Sequence, residues 1–316
     1  MTEAAGLRLD TRAPFHLEAT VRVLQRRPTN PVDVLEGGCY RRVIATAGGL
    51  VLVEVTNLGS IDAPRLRARL VHGASSPATR AALRRTVRDV LGLDVDPEPL
   101  QRRLAAEPRL ATIAAGLRGM RPPRFAALFE AFASIVPFQQ VSLDAGVAIM
   151  RRLVDRFGES LDHEGRRYRA FPTAHVIASA RLDAIAECGM SRRKAETLHR
   201  VARAIEGGEL TEAALARTRT ADAIHRLSEL PGIGPWTASV VLLRGLRRLD
   251  TFPAGDVGAA RGLHVLTRLA PRPLERMIER FGEERGYLYF CALGGALLAR
   301  GLITPAPQQA QPKNCQ

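Results

Sequence analysis

The string LPGIGPWTA, residues 230–238, constrains this chain more than any other. Runs of helical periodicity flank it, so it has to reverse the chain between two helices within a few residues. Pro231 starts a tight turn, and Pro235 opens the second helix, where a missing N–H costs nothing. Gly232 and Gly234 bracket Ile233; without a Cβ they accept backbone angles closed to other residues and leave amide N–H groups bare. Bare amides at a helix start suit phosphate. Ile233 is expected to tuck inward and hold the hairpin shut. Pro231, Gly232, Ile233, Gly234 and Thr237 are the candidate DNA-backbone contacts, positioning a duplex without reading its sequence. The competing reading is an ordinary turn between two helices.

The charge balance agrees with an anionic partner. Of 316 residues, 46 are Lys or Arg and 32 are Asp or Glu, a net +14. The only lysines are Lys194 and Lys313; the rest are arginines, whose planar guanidinium can donate two parallel bonds to phosphate. An Ala/Arg/Leu-rich composition could produce the same excess without a ligand. The four cysteines (Cys39, Cys188, Cys291 and Cys315) have neither zinc spacing nor the clustering of an iron–sulfur loop. Reduced thiols in a cytoplasmic, nucleoid-associated monomer are the expectation. No cofactor and no metal bound by side chains are expected; a metal on hairpin backbone carbonyls stays open. No apolar stretch reaches membrane-spanning length, so no membrane partner is expected.

Patterning divides the chain. Residues 1–13 read as a flexible leader. Within 14–103, Phe15–Leu24 (FHLEATVRVL), Tyr40–Thr46, Leu50–Thr56 and Arg65–Val71 read as strands, with a hairpin at Gly48-Gly49, and Pro77–Val90 turns helical. Residues 104–302 read as a helical core carrying the helix-hairpin-helix at about 225–247, and 303–316 as a disordered tail. Gly158–Phe171 reads as a polar interruption. The fold class is therefore mostly α, a core of two helical subdomains, with an N-terminal antiparallel α+β domain.

Asp256 lies 20 residues after Trp236, between Gly255 and Gly258, at a helix entrance that helps keep a carboxylate ionised. Alone it could be a simple N-cap. Beside DNA, one carboxylate without the acidic cluster of a metal-dependent nuclease can stabilise an oxocarbenium-like sugar and orient water while a base leaves. The base must first be flipped out of the duplex.

With LPGIGPWTA and Asp256 in place, two further strings, GMRPPRFAALFEAFASIVPFQQVS and FPTAHVIASARLDAIAECGMSRRKAETL, complete a resemblance over most of the chain. The sequence resembles the helix-hairpin-helix DNA glycosylase superfamily, DNA-3-methyladenine glycosylase II type. The resemblance implies Asp256 as catalytic residue. It also implies a base pocket at Trp236, Val240, Tyr287 and Tyr289, and a Gln139–Gln140 loop whose Gln140 fills the gap left by the flipped nucleotide. Val240 stands where the family carries a tyrosine. Bifunctional relatives carry a lysine where this chain has Trp236, which implies a monofunctional enzyme with water as nucleophile. Some of Arg244, Arg247 and Arg248 are expected to face the DNA backbone, and Arg192 and Arg193 to sit at a helix start, near a phosphate or in solvent. The implied partner is double-stranded DNA containing a damaged base, with alkylated purines as substrate. The alternatives are oxidised or deaminated bases in the same fold, or a non-catalytic DNA-binding protein.

Overall fold

The computed structural model describes residues 6–307. Its N-terminal part is a five-stranded antiparallel sheet in the order β1-β5-β4-β3-β2. The strands are β1 (Leu7–Leu9), β2 (Val34–Glu36), β3 (Cys39–Thr46), β4 (Gly49–Asn57) and β5 (Leu66–His72). β3 and β4 close the expected hairpin, with Thr46 opposite Gly49 and Gly49 at φ +99°. In β4, Val51, Leu52, Val53 and Val55 are all buried because both sheet faces are covered. Val51, Val53 and Val55 pack into the main core, whereas Leu52 packs with Val43, Leu161 and Tyr168 on the other face.

Three sequence expectations are corrected here. Residues 7–9 are not leader but the edge strand β1, paired with 66–68 of β5. Phe15–Leu24 is not a strand: Leu17–Gln25 is helix α1, capped by the His16 ring, which accepts from Ala19 N–H. Leu17, Ala19, Thr20, Val21, Val23, Leu24 and Gln25 are buried, and Glu18 and Arg22, one turn apart, form the less buried face, so the segment follows the helical period. The first described residues of the tail are packed as well. Ile303 and Ala306 are buried, and Ala306 N–H donates to Gly116 O. Residues 1–5 and 308–316, which include Lys313 and Cys315, lie outside the described residues.

Helices α2 (Pro77–Leu91), α3 (Pro97–Ala105) and α4 (Ala111–Gly116) lead into the helical part. Next come α5 (Leu128–Ala133), α6 (Leu143–Phe157), α7 (Ala174–Ser179), α8 (Leu182–Ala186), α9 (Arg192–Glu206), α10 (Glu212–Arg217) and α11 (Thr220–Ser228). The last four are α12 (Pro235–Leu246), α13 (Val257–Thr267), α14 (Pro271–Arg280) and α15 (Tyr287–Leu298). The polar stretch 158–171 holds a small hairpin, β6 (Ser160–His163) with β7 (Arg166–Arg169), turned by Glu164 and Gly165, both at positive φ.

Two apolar clusters organise the packing. One joins the sheet, α1 and α2 to α5, α9, α11 and α12. The other joins α3 and α4 to α13, α14 and α15. Helices α1 and α12 contribute to both, so their ends lie where the two clusters meet. A buried ion network ties the sheet to the helices: Arg42 of β3 bonds both Asp33 and Glu130 of α5, and the Tyr40 hydroxyl donates to Asp33 at 2.8 Å.

Candidate active site

Helices α11 and α12 enclose the LPGIG turn as the sequence requires. Ile233 is 3% exposed, tucked into the core, while Pro231 and Gly234 are exposed. Gly232 has φ +90°, and a Cβ there would stand 1.9 Å from Thr197 Oγ1. Gly234 instead caps α12 from extended backbone, and a Cβ there would meet nothing within 4 Å. The outward residues surround a cleft that runs from the 138–143 loop past the hairpin to the start of α13 and along α15.

Trp236 and Asp256, brought together from α12 and the entrance of α13, line this cleft. The Trp236 indole Nε1–H donates to Asp256 Oδ2 at 3.0 Å. Asp256 also caps α13, its Oδ1 accepting from Ala259 N–H at 2.8 Å. The N-cap and catalytic readings of Asp256 are therefore compatible: one oxygen serves the helix, and the other faces the cleft beside the indole.

The two glutamines divide their work. Gln139 Nε2 donates to Gly232 O at 3.0 Å and to Thr237 Oγ1 at 2.9 Å, so this side chain binds the loop to the hairpin. Gln140 is exposed with φ +53°, beside exposed Val141 and Leu143, at the cleft rim. Lys194 clamps the same loop from α9, its Nζ donating to Pro137 O at 3.2 Å and Gln139 O at 2.5 Å. Burial lowers the Lys194 ammonium from its ordinary pKa.

Several expected site residues are elsewhere. Val240 is 1% exposed and packs in the main core, on a side of α12 turned from the cleft. Tyr287 is 2% exposed, and its hydroxyl donates to Met120 O at 2.9 Å, which makes it a core residue of the second cluster. Tyr289 does line the cleft. Thr237 lines the cleft as well, its side chain buried and bonded to Gln139. Arg244, Arg247 and Arg248 face inward: Arg244 bonds Val23 O and Leu24 O, Arg247 bonds Pro122 O, and Arg248 bonds Leu215 O, Ala216 O and Thr218 O. Arg192 pairs with Asp183 and Glu196, whereas Arg193 lines the cleft. Sequence reading missed Arg26, Phe138, Leu293 and Ala296 as cleft residues. They come from three distant segments, and no local spacing joins them.

Among the described residues, no group of three or more His, Cys, Asp or Glu could hold a metal. Of the hairpin carbonyls, Pro231 O accepts from Thr197 and Arg200, and Gly232 O accepts from Gln139. Among the described residues, no helix is long and apolar enough to cross a membrane.

Two family models match this arrangement. The HhH-GPD superfamily base excision DNA repair protein model matches residues 133–286, which hold the hairpin and Asp256, and the AlkA N-terminal domain model matches residues 6–127. The chain belongs to the helix-hairpin-helix DNA glycosylase superfamily. The superfamily match includes the 137–143 loop, and Tyr289 lies just beyond its end. Similar relatives include the DNA-3-methyladenine glycosylase of Bacillus subtilis, 29% identical over 262 residues, covering 82% of this chain and 85% of that protein. DNA-3-methyladenine glycosylase 2 of Escherichia coli is 27% identical over 282 residues, covering 88% of this chain and 93% of that protein. Among solved structures, the 3-methyladenine DNA glycosylase of Archaeoglobus fulgidus superposes with a TM-score of 0.76 at 27% identity, covering 92% of this chain and 99% of that one.

Proposed function

We propose that this glycosylase-superfamily chain is a monofunctional DNA N-glycosylase that flips alkylated purines out of duplex DNA and hydrolyses the N-glycosidic bond, leaving an abasic site. The observation that carries this reading is the Trp236–Asp256 pair in an open cleft beside the hairpin. The Asp256 carboxylate stabilises the positive charge that develops on the sugar as the base departs, and orients the attacking water. Fixing one oxygen on Ala259 N–H and bonding the other to the indole hold the group in place before the substrate arrives. The Trp236 ring offers an apolar face to a flipped, electron-poor base.

The hairpin holds the DNA backbone, and exposed Gln140, with Val141 and Leu143 at its side, fills the vacated position in the stack. Relatives described as 3-methyladenine glycosylases support alkylated purines as the substrate class. Such lesions leave readily, which suits a cleft with few aromatic walls. We place the protein in the cytoplasm at the nucleoid, acting as a monomer.

Water as nucleophile is supported by the state of Lys194. It is the one lysine among the described residues, and its amine is occupied by two backbone carbonyls. Borohydride added during turnover is therefore expected to trap no protein–DNA adduct, read on a denaturing gel. A trapped band that disappears in Lys194→Met would replace hydrolysis by amine attack. Direct measurement of base release from duplexes carrying single alkylated purines tests the reaction itself, and absence of release from all of them would reject it.

A further inference from the structure

To fill the gap in the stack, Gln140 has to enter the duplex at a fixed offset from the hairpin that grips the backbone. It sits at φ +53°, a region that residues with a Cβ seldom occupy, so its surroundings must impose that conformation. The residue before it carries the restraint. The Gln139 side chain is tied to the hairpin through Gly232 O and Thr237 Oγ1. The Gln139 main chain is tied to α9, where Lys194 Nζ donates to Gln139 O at 2.5 Å and to Pro137 O at 3.2 Å. Gln139 O belongs to the planar peptide group that joins Gln139 to Gln140, so the ammonium sets the plane from which Gln140 departs.

Helix α9 suits the task of a common mount. Its Ala195, Leu198, Val201 and Ala202 are buried in the main core and hold the helix in place. Thr197, three residues on from Lys194 and so close to the same face, meets the hairpin. Its Oγ1 lies 3.3 Å from Pro231 O, and Gly232 packs so tightly against it that a Cβ would overlap the hydroxyl. Arg200 Nη1 reaches Pro231 O from the next turn. One face of one helix therefore touches both the 137–143 loop and the hairpin. Lys194 spends two of its three donors on loop carbonyls, and bonds from a charged donor are stronger than neutral ones.

We propose that Lys194 is a positioning residue: by holding the peptide group ahead of Gln140 against α9, it sets the offset between the side chain that fills the stack and the hairpin that holds the backbone. This role rests on the glycosylase reading, in which Gln140 fills the vacated position, and adds the group that aims it. Without the ammonium, residue 139 keeps its side-chain bonds to the hairpin, but the Gln139–Gln140 peptide is free to turn. The hairpin still binds a duplex. Insertion of Gln140 then has to supply the ordering that Lys194 provides in advance, so base flipping suffers while the backbone grip does not.

The test uses the full chain and two readouts. The first is the fluorescence of 2-aminopurine placed beside a tetrahydrofuran abasic-site analogue in a duplex, which changes when a side chain enters the stack. Lys194→Met keeps the stem and removes the ammonium. It is expected to lose most of that change, while its Kd for an undamaged duplex, read by anisotropy, stays within about twofold of the parent's. The second readout is single-turnover release of 7-methylguanine, expected to slow by about tenfold or more. Lys194→Arg keeps charge and donors and is expected to restore most of both signals, which a role as amine nucleophile would not allow. Because Lys194 acts through Gln140, adding Lys194→Met to Gln140→Ala is expected to cost no more than about a further twofold. Losses that multiply, a Lys194→Arg variant as impaired as Lys194→Met, or a parent-like fluorescence change in Lys194→Met overturn the assignment. Should Lys194→Met fail to fold, Lys194→Gln, uncharged and one bond shorter, takes its place with the same expected results. A parent protein that releases no 7-methylguanine removes the glycosylase reading beneath, and the fluorescence arm then decides the role of Lys194 alone.

Discussion

Asp256→Asn is expected to abolish base release while leaving the protein folded and bound to DNA. Asparagine caps a helix as well as aspartate does, so the bond from Ala259 N–H and the start of α13 survive. What disappears is the negative charge beside the departing base, and with it the bond from Trp236 Nε1–H, which the amide NH2 in place of Oδ2 cannot accept. Removing a group that stabilises transition-state charge or orients the attacking water typically costs on the order of 10²–10⁴ in rate. The measurement is single-turnover release from an alkylated duplex, with binding followed separately by fluorescence anisotropy. Turnover within tenfold of the parent would reject Asp256 as the catalytic group. Asp256→Ala makes a useful companion, because it also removes the cap and should cost about 1 kcal/mol of stability. Loss of activity without loss of stability in the asparagine variant separates charge from structure.

The hairpin glycines are expected to respond to substitution in different ways. At Gly232 a methyl group would overlap Thr197 Oγ1 at 1.9 Å, and φ +90° is strained for any side chain. Gly232→Ala should therefore distort the turn, loosen the bond from Gln139 Nε2 to Gly232 O, and lower both melting temperature and DNA affinity. A loss of tenfold or more in Kd, equal for damaged and undamaged duplexes, is the expected signature of a backbone contact. Gly234→Ala meets nothing within 4 Å and keeps ordinary backbone angles. It should melt like the parent protein, so any affinity it loses reports DNA crowded by the added methyl. Equal melting temperatures for the two variants would contradict this division.

The features readable in sequence are those fixed by neighbouring residues. A proline at the first helical position, glycines around Ile233 and an aspartate preceding a helix announce themselves within a few positions, and the structure brings Trp236 and Asp256 within hydrogen-bond distance. Arginine orientation was not readable. Arg244, Arg247 and Arg248 look like a basic stripe after the hairpin, yet each is recruited by carbonyls from other segments. Trp236 and Val240 are one helical turn apart, but burial of α12 on most sides sends Val240 into the core. Tyr287 and Tyr289 differ by two positions on α15 and so point in different directions, one to Met120 and one to Arg26. The β6–β7 hairpin was concealed by its polar exterior; the Gly165 turn was the signal that remained.

The buried bonds of Arg42 to Asp33 and Glu130 bear on how the protein can be dissected. A fragment starting near residue 104 would inherit the hairpin, Trp236 and Asp256, but it would lose Arg42, the counterion of Glu130, and uncover the apolar core that α5 shares with α1 and the sheet. The same cut removes Arg26 from the cleft. The sheet is thus no detachable handle: it carries the counter-charge for one unit's interior and part of its substrate surface. Separating the two units would require retiring Glu130 along with Arg42.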